Sequence, residues 1–521
     1  MAKILLRQSS TIISNYELGD CYKLETNFSI YNKLYHSYFF KGIEYNEEKK
    51  QLIVPRGVDV KYLETMFNTN AMVDRRHDPY DTVAPIMMKF PPRDDVQKRA
   101  ISFMNGIKDY SYTAGKSQLC VNLNTGKGKT YCSIYTSAMQ RMRSIIIASS
   151  TTWLDQWRRN ILEYTDTKPD EIYSIIGGGS ISRILERDMS KYKFIVCSHA
   201  TLQAYASKCG WEAVSELFKH LKVGLKFYDE AHLSFDNMCK IDFYTNTYKT
   251  YYVTATPARS DDEENIIYRY YFKNVPSIDL FDEEEDPHTN YIAMKYNSRP
   301  TAEDISKCKT QMGFSANNYS NYVLKSRNFY KMLKVIVDLC ITNSGKNIIY
   351  IATVEAIEHV YEWIVNEFPH IANNVGRFHS KMPSNIKQDQ LNKKIILSTT
   401  KSLGPAIDIK GLKMVVVLAE PFKSKVIARQ TLGRTRDDNT LYIEVIDTGF
   451  KSISKYCTDK KSTYEKYAKS YNTISLTDND LDVRCTEIDQ RYRSYIYPVT
   501  FMQFVVPVAF TDGMISPVKF A

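Results

Sequence analysis

Twice along this chain, short apolar runs rich in β-branched residues alternate with stretches of helical periodicity. The first series is QLCVNL (118–123), SIIIAS (144–149), FIVCS (194–198), LKFYD (225–229) and YYVTA (251–255). The second is NIIYIA (347–352), KIILST (394–399), MVVVLA (414–419) and LYIEVID (441–447), with the helical VEAIEHVYEWIV (354–365) after its first run. Strands apolar on both faces must be covered on both sides, and the helices between them are the crossovers that parallel strands require. The pattern predicts an α/β chain with two parallel-sheet domains in tandem.

The flanks read differently. Residues 1–90 form a small mixed α+β domain in this reading. Its strands are SYFFKGIEY (37–45) and QLIVPRG (51–57), closed by turns at Asn46–Lys49 and Pro55–Gly57, and its helix is VDVKYLETMF (58–67). The pair Pro91-Pro92 marks a boundary, and the five acids of FDEEEDP (281–287) read as a solvated linker. The expected division is 1–90, 91–280, 281–470 and a C-terminal extension, 471–521.

Composition excludes several classes. Of 521 residues 43% are hydrophobic and 25% charged, ordinary globular usage that rules out wholesale disorder. The apolar runs fall far short of the ~20 residues of a membrane helix, and MAKILLRQSS is no secretory signal. The ten cysteines are never closer than twelve residues, so neither a CxxC zinc pair nor a disulfide frame is available. A cytoplasmic protein without a membrane partner is expected. The formal charge of +10 favours a polyanionic partner. The 39 tyrosines suit base stacking, although an AT-rich genome would also enrich this residue.

Two motifs carry chemistry. LNTGKGKT (123–130) directly follows a predicted strand. Glycines at 126 and 128 let the backbone close around phosphate oxygens, with Thr125 and Lys127 completing the loop. Lys129 would reach the β and γ phosphates of ATP, and the Thr130 hydroxyl would sit on Mg²⁺. Leu123 departs from the glycine that opens the usual phosphate loop. YDEAH (228–232) ends another apolar strand: Asp229 would hold Mg²⁺ through water, and Glu230 would polarise the attacking water as general base.

With TATPAR (254–259) and QTLGRTR (430–436) these motifs resemble, in order and over about residues 93–450, the superfamily 2 helicases of the DEAH-box kind. Other segments match in sequence order. RDDVQ (93–97) is similar to the adenine-reading element, with Gln97 the reader. SSTTWLDQW (149–157) and CSHATLQ (197–203) are similar to DNA-contacting motifs. STTKSLGPAID (398–408) is similar to the fifth motif, with Gly404 and Asp408 as nucleotide-site residues. The small N-terminal domain and the overall size resemble UvsW-type phage recombination helicases and their viral relatives. The resemblance implies two RecA-like domains that hold ATP·Mg²⁺ between them, with Gln430, Arg434 and Arg436 as catalytic residues of the second. It makes His232, Thr254 and Thr256 the residues coupling hydrolysis to movement. It also implies single-stranded and branched DNA as partners, a monomer, and contact with other recombination or replication proteins. A duplex translocase that does not separate strands, or an RNA helicase, are the alternatives.

The sixth motif departs from the family, with Arg434 and Arg436 two residues apart where three is usual, and the fifth has Pro405-Ala406 where Gly-Leu is common. Three further features have ordinary readings: GGGS (177–180) as a flexible loop, His379-Ser380 as either a loop or a DNA contact, and the lysine-rich 455–471 as a solvated helix, with a DNA-tracking surface as its alternative. No PD…ExK set stands out, so a nuclease is not expected. In the N-terminal domain Lys49, Lys50 and Arg56 are candidate contacts to the phosphates of a second DNA arm.

Overall fold

A computed structural model describes residues 2–32, 37–46, 49–123, 126–149, 151–231, 233–254, 262–280, 287–310, 313–403, 409–434 and 440–482. The acidic linker (281–286), most of the turn between 46 and 49, and everything after 482 lie outside them. The chain divides into two compact units, Met1–Glu285 and Asp286–Ala521.

The first unit opens with a five-stranded sheet: β1 (Lys3–Leu6), β2 (Ser10–Ser14), β3 (Glu44–Asn46), β4 (Gln51–Pro55) and β5 (Ala71–Val73), in the order β3-β4-β2-β1-β5. Only the β1·β5 pair is parallel. Ile4, Leu6, Ile13, Leu52 and Val54 turn inward against Leu24 and Phe28 of helix Leu18–Phe28 and Leu63 and Phe67 of helix Val60–Phe67. The run 37–45, expected as one strand, is two: Ser37–Lys41 pairs with Ser29–Asn32 in a separate ribbon, and the chain enters the sheet only at Glu44.

This sheet is built into the lobe that follows it. Ile53 belongs to the core of that lobe. Gly57 lies so close to the Tyr271 carbonyl that a Cβ would come within 2.0 Å of its oxygen. Arg143, fully buried, pairs with Asp81 at 2.9 Å.

The lobe itself comprises α1 (Asp95–Asn105), β6 (Gln118–Leu123), α2 (Lys129–Gln140), β7 (Ser144–Ala148), α3 (Thr151–Tyr164), β8 (Ile172–Ile175), β9 (Phe194–Ser198), α4 (His199–Cys209), β10 (Leu225–Asp229), β11 (Lys249–Thr254) and β12 (Ser277–Leu280). Its seven strands are all parallel, in the order β8-β9-β7-β10-β11-β6-β12. The second unit has β13 (Thr289–Tyr296), β14 (Lys346–Ile351), β15 (Val375–Phe378), β16 (Ile395–Ser398), β17 (Leu412–Ala419), α5 (Lys425–Leu432), β18 (Thr440–Asp447), α6 (Lys451–Tyr467) and β19 (Ser470–Ser475). Its order is β15-β16-β14-β17-β18-β13-β19, again all parallel. Numbered within each lobe, both sheets run 3-4-2-5-6-1-7. The chain is thus two tandem RecA-like α/β domains with a small mixed sheet at the N-terminus. β19 straddles 470/471, where the C-terminal extension was expected to begin.

Several expectations need correction. GGGS is not a loop: a helix starts at Gly178 and runs to Leu185, burying Ile181 and Ile184. α6 is a helix, as expected, and Lys455, Lys461 and Lys466 lie on a solvated face, but not all of its lysines do. Lys460 is fully buried, paired with Glu444 and stacked 4.0 Å from the Phe422 ring. His379 is buried, with Nε2 2.7 Å from Glu358 Oε1, so it is no exposed DNA contact.

Many of the tyrosines are buried in the two cores, and some turn their hydroxyls onto buried carboxylates. Asp242 accepts from Tyr228 (2.8 Å), Tyr252 (2.6 Å), Tyr271 (2.5 Å) and Lys226 (2.6 Å), and Glu444 accepts from Tyr291 at 2.9 Å. A buried phenol needs such a partner, and the rings supply apolar bulk. Among the described residues no helix is long and apolar enough to cross a membrane.

Candidate active site

Parallel strands place their C-terminal ends on one edge, where open α/β sheets bind ligands. In the first lobe β6, β11 and β10 are neighbours in that order, so the phosphate loop, Thr254 and the Asp229-Glu230 pair emerge side by side. The register pairs Thr254 with Asn122 and Asp229 with Val253.

After β6 the chain turns through Gly126 (φ +86°) and Gly128 (φ +91°), a region closed to side chains without strain. Gly128 caps α2, so Lys129 and Thr130 stand in its first turn. The free N–H groups and positive end of that helix suit a phosphate. A Cβ at Gly128 would come within 2.3 Å of Gln97 Nε2. Gln97 is held against the loop, accepting from Arg93 N at 2.8 Å and donating to the Lys127 carbonyl at 3.4 Å. It therefore packs on the phosphate loop itself.

Beyond β10 the backbone bends sharply. Glu230 adopts φ +50°, the left-handed region, at a cost of about 1 kcal/mol. The bend brings Glu230 Oε1 to 3.0 Å from Lys129 Nζ, with Glu230 2% and Lys129 11% exposed. Asp229 is equally sequestered. Burial pushes its pKa up, and the neighbouring Glu230 charge pushes the same way, while a hydrogen bond from Trp157 Nε1 (2.7 Å to Oδ2) and the Lys129 charge oppose it. Trp157 was legible only as part of SSTTWLDQW, and nothing in the sequence pointed to its contact with Asp229.

The structure thus brings together Gln97, Gly126, Lys127, Gly128, Lys129, Thr130, Asp229, Glu230 and Thr254 in the first lobe. Thr125, His232 and Thr256 lie outside the described residues. In the second lobe Gln430 is buried on α5, and Arg434, also buried, donates from Nη2 to the Leu403 carbonyl at 2.5 Å, joining the sixth motif to the fifth. Gly404, Asp408 and Arg436 lie outside the described residues. Glu420, directly after β17, was not singled out. Its carboxylate accepts from Thr400 N at 2.8 Å and Oγ1 at 2.5 Å, and burial pushes its pKa up to about 7.

A hard cation carried by phosphates needs only one or two protein oxygens. Thr130 and Asp229 fit that role. Among the described residues no group of three or more metal-ligating side chains forms a cage of its own.

A glycine turn at a helix N-terminus beside a Lys–Glu pair is a geometry suited to phosphate, and comparison with known proteins adds to it. Residues 89–259 match the family described as type III restriction enzyme, res subunit. The candidate helicase 161L of Invertebrate iridescent virus 6 is 22% identical over 367 residues, 66% of this chain and 75% of that protein. A variant of S. cerevisiae Dbp5 bound to RNA and ADP BeF3 shares the fold, with a TM-score of 0.50 and 15% identity over 77% of this chain and 93% of that one. T4 UvsW overlaps 91% of this chain and 100% of its own at 15% identity, but with a TM-score of 0.35, which lends no weight to the UvsW-type expectation. The family match and the viral relative support a helicase-type, ATPase-type enzyme, and the likeness to Dbp5 shows the fold.

Proposed function

We propose that this protein is an ATP-dependent DNA helicase of the DEAH-box kind that unwinds or remodels branched DNA. The observation that carries the catalytic part is the 3.0 Å pairing of Lys129 with Glu230 beside a glycine loop at a helix N-terminus. Lys129 neutralises the phosphates, and the chain's own hydroxyl and carboxylate, Thr130 and Asp229, hold Mg²⁺, which supplies charge stabilisation to the transferring phosphate when bound. When phosphate draws Lys129 away, Glu230 is released to take a proton from the attacking water. Gln97 reads the base, and Gln430, Arg434 and Arg436 serve the transition state from the second lobe. Gly404 and Asp408 complete the nucleotide site, and His232, Thr254 and Thr256 couple hydrolysis to movement. Contacts to DNA go mainly to phosphates, giving little sequence preference.

The preference for forks and junctions rests on the motif set and on the N-terminal sheet, which a bare motor does not need. The test compares ATPase stimulation by single-stranded, duplex, forked and four-way-junction DNA and by RNA, with strand displacement in parallel. Branched DNA should stimulate most and be unwound. Stimulation by RNA alone would make this an RNA helicase, and stimulation by duplex without displacement a translocase. Glu230→Gln should bind ATP and lose at least about a hundredfold in turnover. Near-normal turnover in that variant would remove Glu230 from the chemistry.

A further inference from the structure

Asp229 is held from two sides. The Trp157 indole N–H donates to Oδ2 at 2.7 Å, and the backbone N–H of Glu230 donates to the same carboxylate. Lys129 Nζ is engaged with Glu230. Trp157 is 3% exposed on α3, the helix that begins where β7 ends. A tryptophan has two side-chain torsions, and burial of the ring fixes both. Its N–H is therefore a rigid donor, unlike a lysine on a flexible stem.

The bond is particular to this position. Trp153, one turn earlier on α3 and equally buried, has an indole N–H without a hydrogen-bond partner among the described residues. A second helix braces the same strand: His199, opening α4, stacks on Tyr228, the residue before Asp229, with centroids 5.6 Å apart and planes 15° apart. Both helices follow strands β7 and β9, which lie on the side of β10 away from the phosphate loop.

We infer that Trp157 is the positioning residue of the magnesium site: its indole N–H holds the Asp229 carboxylate in the orientation that receives the cation, and ties that orientation to α3. The inference rests on the reading of Asp229 as the magnesium-holding carboxylate. Trp157→Phe keeps a buried ring and deletes the donor. The loss of one hydrogen bond to a charged group should raise the Mg²⁺ concentration for half-maximal turnover about tenfold. Maximal turnover at saturating Mg²⁺ should stay within about twofold, and ADP binding in EDTA should not change. Trp153→Phe, the same replacement on the same helix, should leave the Mg²⁺ midpoint where it is.

A readout independent of turnover uses the wild-type chain, which holds four tryptophans. The Trp157 indole N–H resonance, assigned by single replacements at Trp153, Trp211 and Trp363, should shift when Mg²⁺ is added to the ADP complex. This measurement stands even if Trp157→Phe does not fold. An indole resonance unmoved by Mg²⁺, or a folded Trp157→Phe with the wild-type Mg²⁺ midpoint, overturns the inference while leaving the ATPase reading intact. Wild-type protein with no Mg²⁺-dependent turnover and no Mg²⁺ effect on ADP binding would overturn both.

Discussion

Lys129 and Glu230 are a buried ion pair as well as the proposed reagents, and this gives their substitutions two separable consequences. Removing one partner of a buried pair leaves an uncompensated charge and costs about 3 kcal/mol or more. Lys129→Ala should therefore lower the melting temperature as well as abolish turnover, and adding Glu230→Gln should restore much of the stability and none of the activity. Thermal melts of the two singles and the double check this, and equal melting temperatures for Lys129→Ala and the double would mean the pair carries no such energy. Glu420 occupies the corresponding place in the second lobe, directly after the fifth strand, but faces Thr400 instead of a lysine. Its folded pKa of about 7 lies above the ordinary 4.5, so its proton is held more tightly in the folded chain. The stabilisation is complete below pH ~4.5 and disappears as pH rises through ~7. Glu420→Gln keeps an acceptor for the Thr400 amide and a donor for its hydroxyl without ever ionising. It should match wild type at pH 4 and exceed it at pH 8 by up to about 3 kcal/mol, a divergence that melts across this range would show or deny. Motif residues such as Lys129 and Glu230 are legible because their spacing is fixed by local turns. Glu420 and Trp157 were not, because their partners lie far away in sequence.

At the scale of elements, the phosphate loop is braced from outside. Gln97 on α1 fills the space where a side chain at 128 would go, and the left-handed φ there excludes one independently. Gly128→Ala should lower ATP affinity at least about tenfold while lobe 1 stays folded, since the strain of one residue in that region is about 1–2 kcal/mol before the clash is added. Combining it with Gln97→Ala should recover part of the affinity, the part due to the clash. No recovery, measured by nucleotide titration, would leave the backbone conformation as the whole cause. The strands reveal where reading by pattern stops. β6, β7, β9, β10 and β11 were each located from an apolar run, because interior strands of a parallel sheet are covered on both faces and on both edges. The four strands missed at the sheet margins, β8, β12, β15 and β19, are short or half-exposed, as in the pattern of Ser470–Ser475, and carry no such run. β13, TNYIAMKY, was not located either, although it is an interior and mostly buried strand. α6 misled at one position: Lys455, Lys461 and Lys466 are solvated as they look, while Lys460 is buried against Glu444, a partner that its own segment does not show.

For the whole molecule, the question is whether the N-terminal sheet reads a second DNA arm. Deleting residues 1–88 would answer it only if the sheet were a free module, and it is not. The deletion would take Asp81 from the buried Arg143, Ile53 from the lobe core, and the close packing of Gly57 on Tyr271. Of the three cations the sequence offered for DNA, Arg56 is mostly buried, its Nε without a partner among the described residues and its pKa depressed by desolvation. Lys49 and Lys50 are exposed at the turn into β4. Charge reversal at these two positions therefore tests branch reading without disturbing the core. For every phosphate deprived of its lysine, the plot of log affinity against log salt should become shallower by nearly one unit, so Lys49→Glu/Lys50→Glu should flatten it by up to about two units on forks and junctions. Single-strand-stimulated ATPase should stay at the wild-type level, because none of the residues beside the phosphate loop is touched. A double variant that keeps both the salt slope and the preference for junctions over linear duplex would move branch recognition off the N-terminal sheet and into the two lobes.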